Sequence, residues 1–166
     1  MVSARIPVFY SFHYDNDVFR VNLVRHIGQI EDNAPVSPNE WEQIKRTDAG
    51  IRKWIDDNMF HRRCVIVLVG SETANRKYVR HEIEKAWNDR RGLFGIRIHN
   101  LNCARTRTTC SPGANPFDVI KMDNGRPMSD YVTLHDPGAY DAYNTIARSM
   151  EGWVDAAIAQ AKARWG

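Results

Sequence analysis

Residues 64–70, CVIVLVG, form an unbroken apolar run dominated by β-branched side chains. A strand with one wet face alternates apolar and polar residues, so a run with no polar position needs cover on both faces, as a central strand of a parallel sheet has. The chain around it alternates accordingly. After the run, Val79, Ile83, Ala86 and Trp87 line one face of a predicted helix, and LFGIRIHN at 93–100 returns to strand character, completing a strand–helix–strand unit. Before it, PVFYSF at 7–12 reads as a first buried strand. The next predicted helix is capped by Asp17 and carries Phe19, Leu23, Ile27 and Ile30, with Val24 beside them. EDNAPVSP at 31–38 ends that pattern and leaves room for a short second strand. Ser37-Pro38-Asn39-Glu40 has the cap, early proline and acid of a helix start, and Ile44, Ile51, Trp54 and Ile55 anchor the segment from Trp41 to Phe60, with Gly50 as a divider.

Residues 101–115 lack periodicity, which in a compact domain means a functional loop or disorder. SDYVTLHD predicts an edge strand, and Tyr143, Ile146, Ala147, Met150, Val154, Ala157, Ile158 and Ala161 predict a last helix over about 139–164. This order predicts an α/β fold: one domain over 1–166, with a doubly wound, mostly parallel sheet of about four or five strands flanked by helices.

Bulk properties exclude several classes. The 166 residues, 43% hydrophobic and 26% charged, suit a single soluble domain. No apolar run approaches the roughly 20 residues of a membrane span, and MVSARIPVFYSF lacks a secretory layout, so the expectation is a cytoplasmic protein without a membrane partner. Three cysteines make no disulfide framework. A net charge of +3 is mild and says little about nucleic acid; with basic residues spread among acids except in ARTRT at 104–108, no nucleic-acid partner is expected.

In open α/β sheets ligands lie beyond the carboxyl ends of the strands, here SFHYDND, GSETANR and HNLNCAR. Neither G-x-G-x-x-G nor G-x-x-x-x-G-K-[ST] occurs. A phospho-acceptor receiver site would need aspartates at two strand ends; Asp15 and Asp17 serve the first, but the second ends in Gly70-Ser71. His81, His99, Cys103 and Cys110 match no compact zinc spacing and read as surface histidines and loop cysteines, and nothing brings a Cys-His nucleophile pair together.

The stretch from Ser71 to Glu82 carries the most specific signal. A strand ending in Gly-Ser, a spacer, an aromatic residue, a small apolar residue, two variable positions and a glutamate resembles the catalytic-helix motif of TIR domains. Tyr78 stands where tryptophan is usual and Val79 where cysteine is usual. VFYSFHYDND-x-FRVN, VLVGSETANRKYVRHEI and ANPFD at 114–118 together resemble the TIR-like proteins of the Thoeris anti-phage defence system, over Arg5 to Asp118.

The resemblance implies a flavodoxin-like TIR fold and an NAD glycohydrolase or ADP-ribosyl cyclase activity: NAD is a substrate rather than a cofactor, nicotinamide is released, and the product is a cyclic ADP-ribose-type signal. It also implies self-association and a separate effector protein reached through the diffusible nucleotide. Glu82 is the implied catalytic residue, since a carboxylate against the ribose stabilises the oxocarbenium-like charge left when nicotinamide departs. From position alone the favoured reading is an exposed ion pair with Lys85, although helical spacing also puts Glu82 at the edge of the apolar face of Val79, Ile83 and Ala86. Ser11, Phe12, His13, Tyr14, Asp15, Arg20, Ser71, Tyr78 and Asn115 are the implied substrate-binding positions. Some have a plainer alternative: Phe12 and Tyr14 stack on a base or fill the core, Asp15 to Asp17 bind ribose or cap the helix, and Arg20 meets a phosphate or forms a surface ion pair with Asp17. Arg105 and Arg107 reach the pyrophosphate if their loop folds over the site, and otherwise ride on a mobile surface segment. The competing functional readings are a non-catalytic TIR-like interaction module and a glycosyl-transferring enzyme acting on nucleosides.

Overall fold

The computed structural model describes residues 6–25, 30–31, 47–102 and 107–165. Five strands, β1 (Ile6–Ser11), β2 (Ile30–Glu31), β3 (Cys64–Val69), β4 (Gly92–Arg97) and β5 (Leu134–His135), form one sheet in the order β2-β1-β3-β4-β5. All four pairings are parallel, with Ser11 opposite Val67 and Cys64 opposite Gly92 in register.

Every residue of β3 is buried, as its continuous apolar run requires. Its alternating side chains feed two cores. Cys64, Ile66 and Leu68 pack with Val21 and Val24 of helix α1 (Tyr14–Arg25) and with Ile146, Met150 and Val154 of helix α4 (Ala142–Trp165). Val65, Val67 and Val69 pack with Ile51, Ile55 and Met59 of helix α2 (Asp48–Met59) and with Val79, Ile83 and Ala86 of helix α3 (Lys77–Asn88). Two helices on each face make the doubly wound arrangement that the strand–helix alternation predicts.

Four local expectations are corrected. Helix α1 begins at Tyr14, so Asp17 lies one turn inside it, its amide donating to the His13 carbonyl at 2.9 Å, and is not the cap. The buried face of α1 is Asp17, Arg20, Val21 and Val24, whereas Phe19 is 40% exposed. The apolar positions misled because two of the inward residues are charged and satisfy one another there. Ile30 belongs to β2, opposite Ile6, and not to the helix; Ile27 lies outside the described residues. In α4 the inward stripe holds Ala142, Ile146, Met150, Val154, Ala157 and Ala161, leaving Tyr143 and Ala147 exposed.

Helix α2 starts at Thr47, whose hydroxyl accepts the Gly50 amide at 2.9 Å, so Gly50 sits in its first turn. The expected helix start at 37–40, and Ile44, lie outside the described residues. The edge strand foreseen in SDYVTLHD is β5, reduced to two residues after a 3₁₀ turn at Met128–Asp130.

Candidate active site

The carboxyl ends of β1 and β3 meet the amino-terminal half of α3. Ser11, the last residue of β1, is fully buried and donates its hydroxyl to Glu82 Oε1 at 3.1 Å. Glu82 reaches it because it shares the inward face of α3 with Val79, Ile83 and Ala86, at three- and four-residue helical spacing. Only 6% of Glu82 is exposed. Burial pushes its carboxyl well above the usual carboxylate range, and the Ser11 hydrogen bond opposes that in part by favouring the ionised form. The exposed Glu82–Lys85 pairing is therefore corrected: Lys85 is held by Asp89 at 3.0 Å and Asp56 at 3.8 Å.

The turn that launches α3 is held by a polar network. Thr73 Oγ1 accepts the Gly70 amide at 2.8 Å and faces Asp17 Oδ2 at 3.4 Å. Asp17 is fully buried, and a Cβ on Gly70 would lie 2.3 Å from its carboxylate, so only glycine lets β3 end there. Arg20 Nη1 stands 3.9 Å from Asp17 Oδ1; its Nε donates to the Leu101 carbonyl at 2.9 Å and its Nη2 to the Thr108 carbonyl at 2.8 Å. Arg20 is 5% exposed, which corrects the surface ion pair, and its guanidinium is engaged with protein carbonyls.

The same carbonyl-stapling device recurs in the long loop. Arg97 Nη1 donates to Pro112 O at 2.7 Å and Gly113 O at 2.9 Å, and the Cys110 amide donates to His99 O at 3.0 Å. Gly113, at φ +68°, lies so close to the β3 turn that a Cβ would come within 2.4 Å of the Gly70 carbonyl. Residues 107–115 are thus an anchored cover over the end of β3 and not a free surface segment. Arg107 is exposed on this cover, while Arg105 lies outside the described residues.

Two sequence matches cover the same residues. The family model for "Thoeris protein ThsB, TIR-like domain" matches residues 9–103, the span from β1 to the loop after β4 that contains both Ser11 and Glu82. The chain belongs to the Thoeris ThsB TIR-like family. It is 34% identical over 150 residues to a protein of Bacillus cereus (strain MSX-D12) named "Putative cyclic ADP-D-ribose synthase ThsB1", a match covering 84% of this chain and 76% of the relative. The sheet described above is accordingly a flavodoxin-like, TIR-like one, as the sequence motifs imply.

Of the implied site residues in this ThsB TIR-like domain, the structure joins Ser11 to Glu82 and gives the others partners of their own. Phe12 is half-buried and packs against the core beneath α1 and α4. His13 is half-buried at the entry to α1. Tyr14 and Asp15 contribute the first backbone turn of α1, their side chains lying outside the described set. Ser71 is half-buried in the turn beneath Gly113.

Tyr78 points to α2, donating its hydroxyl to Asp48 Oδ1 at 2.8 Å; Lys77 and Arg52 hold the same carboxylate, each at 2.8 Å. These donors keep the Asp48 carboxyl well below its usual range, and the Asp48 hydrogen bond raises Tyr78's own pKa. Asn115 Oδ1 accepts the Phe117 amide at 2.9 Å, so its carbonyl end caps a turn.

Sequence reasoning passed over two residues of this edge. Thr73 was legible only as one polar residue in a spacer, since its role depends on Asp17 arriving from 56 residues away. His99, read as a surface histidine, is 8% exposed, and burial depresses its pKa, which favours the neutral imidazole. Its Nδ1 has no hydrogen-bond partner among the described residues. No group of three or more potential metal ligands exists among the described residues, and no described helix is long and apolar enough to cross a membrane.

Proposed function

We propose that this ThsB TIR-like domain cleaves NAD between nicotinamide and ribose and closes the ADP-ribosyl group into a cyclic isomer that serves as an anti-phage signal. The observation that carries the reading is the desolvated Glu82 carboxyl, hydrogen-bonded by Ser11 at the ligand-binding edge of a parallel sheet. The name of the B. cereus relative supports the product class.

In the reaction, the bond from ribose C1′ to the pyridinium nitrogen breaks and its electron pair neutralises that nitrogen, so nicotinamide leaves neutral and needs no general acid. The ribose is left oxocarbenium-like. A developing positive charge beside Glu82 favours its ionised form, and in a low-dielectric site the ionised carboxylate stabilises that charge strongly. Ser11 orients the carboxylate. The acceptor sets the product: an adenine nitrogen or a hydroxyl of the same molecule gives a cyclic isomer, and water gives ADP-ribose, with loss of a proton in each case. Glu82 is 6% exposed, so binding of NAD at its carboxylate requires local opening of the packing around it.

NAD is a substrate here and no resident cofactor takes part; self-association and a separate effector that reads the nucleotide belong to the same proposal. A non-catalytic interaction module has no use for a desolvated carboxyl held by a buried hydroxyl, which costs stability at neutral pH. The test is chromatography with mass detection of NAD incubated with the pure protein and with Glu82→Ala, together with extracts of cells expressing each during phage challenge. Nicotinamide and an ADP-ribose isomer that form only with the intact glutamate are the expected result. Their absence in both settings favours the interaction module.

A further inference from the structure

At the end of the sheet away from Glu82, before β3 and β4 begin, a cleft of about 430 Å³ is bordered by Arg63, Arg90, Arg91 and Lys162, with Ile158 and Trp165 as its apolar wall. Three residues of strand, about 10 Å, separate Val67, the register partner of Ser11, from the start of β3, and the cleft lies beyond that start. It is therefore distinct from the candidate active site.

No acidic side chain lines it. Arg91 is structural, donating to the carbonyls of Arg62 and Phe60 and pairing with Asp89 at 3.4 Å. Arg63, Arg90 and Lys162 have no carboxylate partner among the described residues, although carboxylates engage Arg52, Lys53, Arg76, Lys77, Arg80 and Lys85. Three exposed cations crowded around one concavity repel one another, and an anion seated between them relieves that repulsion.

The wall adds a second requirement. Trp165 is 39% exposed yet held in place, its ring edge-on to Trp87 at 5.8 Å and under the Arg90 guanidinium at 5.2 Å. Arg90 reaches that position from a left-handed backbone conformation, φ 62°, at the end of α3. A fixed, partly open aromatic ring beside cations with no carboxylate partner among the described residues suits a ligand with a flat apolar part and several negative charges. The volume falls within the range of small-ligand pockets.

We propose that this cleft binds a nucleoside polyphosphate, the phosphates lying against Arg63, Arg90 and Lys162 and the base against Ile158 and Trp165. This site is independent of the NAD chemistry at Glu82. The test is calorimetric titration of the full chain with ATP, inorganic tripolyphosphate and adenosine. It is repeated for Arg63→Glu/Lys162→Glu, for Trp165→Ala and for the charge-matched Lys121→Glu/Arg148→Glu, whose positions do not line the cleft, with thermal melts to verify folding.

The expected result is ATP binding that weakens about tenfold or more in Arg63→Glu/Lys162→Glu and less than about threefold in the charge-matched variant. Trp165→Ala weakens ATP and leaves tripolyphosphate unchanged, and Glu82→Gln binds ATP as the unaltered chain does. The proposal is overturned by no binding at millimolar ATP, by equal weakening in the two charge variants, by tripolyphosphate binding as tightly as ATP, or by loss of ATP binding in Glu82→Gln.

Discussion

Glu82 shows how one residue type changes meaning with its surroundings. In water a glutamate on α3 would be one more partner for Lys85; behind Val79 and Ile83 its ionised form loses solvation and gains the Ser11 hydroxyl. Because burial raises its folded pKa above the unfolded value, the folded state holds a proton that the unfolded chain has released, and stability falls as pH rises from the unfolded value through the folded one. Glu82→Gln removes that loss. Thermal melts should therefore show the variant gaining on the unaltered protein as pH rises from 4 to 8, by about 1.4 kcal/mol per unit of raised pKa, while nicotinamide release drops by at least about 100-fold. A pH-independent difference would mean that the carboxyl is not desolvated. Ser11→Ala removes the group that lowers the Glu82 pKa, so the rising limb of the activity–pH profile should move to higher pH, at a stability cost of about 1 kcal/mol.

Among elements, the loop after β4 is held from α1 by Arg20 and from β4 by Arg97. Arg20 ties Asp17 of α1 to the carbonyls of Leu101 and Thr108, so its loss leaves two acceptors and a buried carboxylate without that guanidinium. Arg20→Met should cost about 3 kcal/mol, measured by denaturant unfolding. Arg97 is nearer the surface and holds only the loop. Arg97→Ala should speed hydrogen exchange and proteolysis within 107–115 while shifting the global midpoint little, since local opening is separable from global unfolding. A matching loss of global stability would show that the cover is part of the core and not a separable element.

For the whole molecule, β3 is the shared wall of both cores. Ile66 is fully buried between β1 and β4, and Ile66→Ala should cost about 2–5 kcal/mol. Phe19→Ser, at a position that is apolar in sequence but 40% exposed, should change stability by under about 0.5 kcal/mol. Comparing the two by chemical denaturation separates apolar residues that build the fold from one that only fits a helical pattern.

The elements that bury one continuous apolar face, β3, α3 and the Ile146–Ala161 stripe of α4, were legible from periodicity, because burial selects residue type at fixed spacing. The edge of the sheet where a ligand would lie followed from the same alternation, and the motif around Glu82 pointed to the residue. What the sequence could not supply was any relation between distant positions. Asp17 beside Thr73, Arg20 under Thr108 and Gly113 over Gly70 join residues 43 to 88 positions apart. Polar residues carry no periodic signature when they are buried in pairs, so α1 showed its exposed Phe19 and hid its charged inward face. The sequence alone determined that β3 is a strand and that α3 and α4 are helices, since local spacing encodes burial where one apolar face is continuous. Tertiary structure alone decided the burial and partners of Glu82 and the upward direction of its pKa, because desolvation is a property of everything packed around a group and not of the group itself.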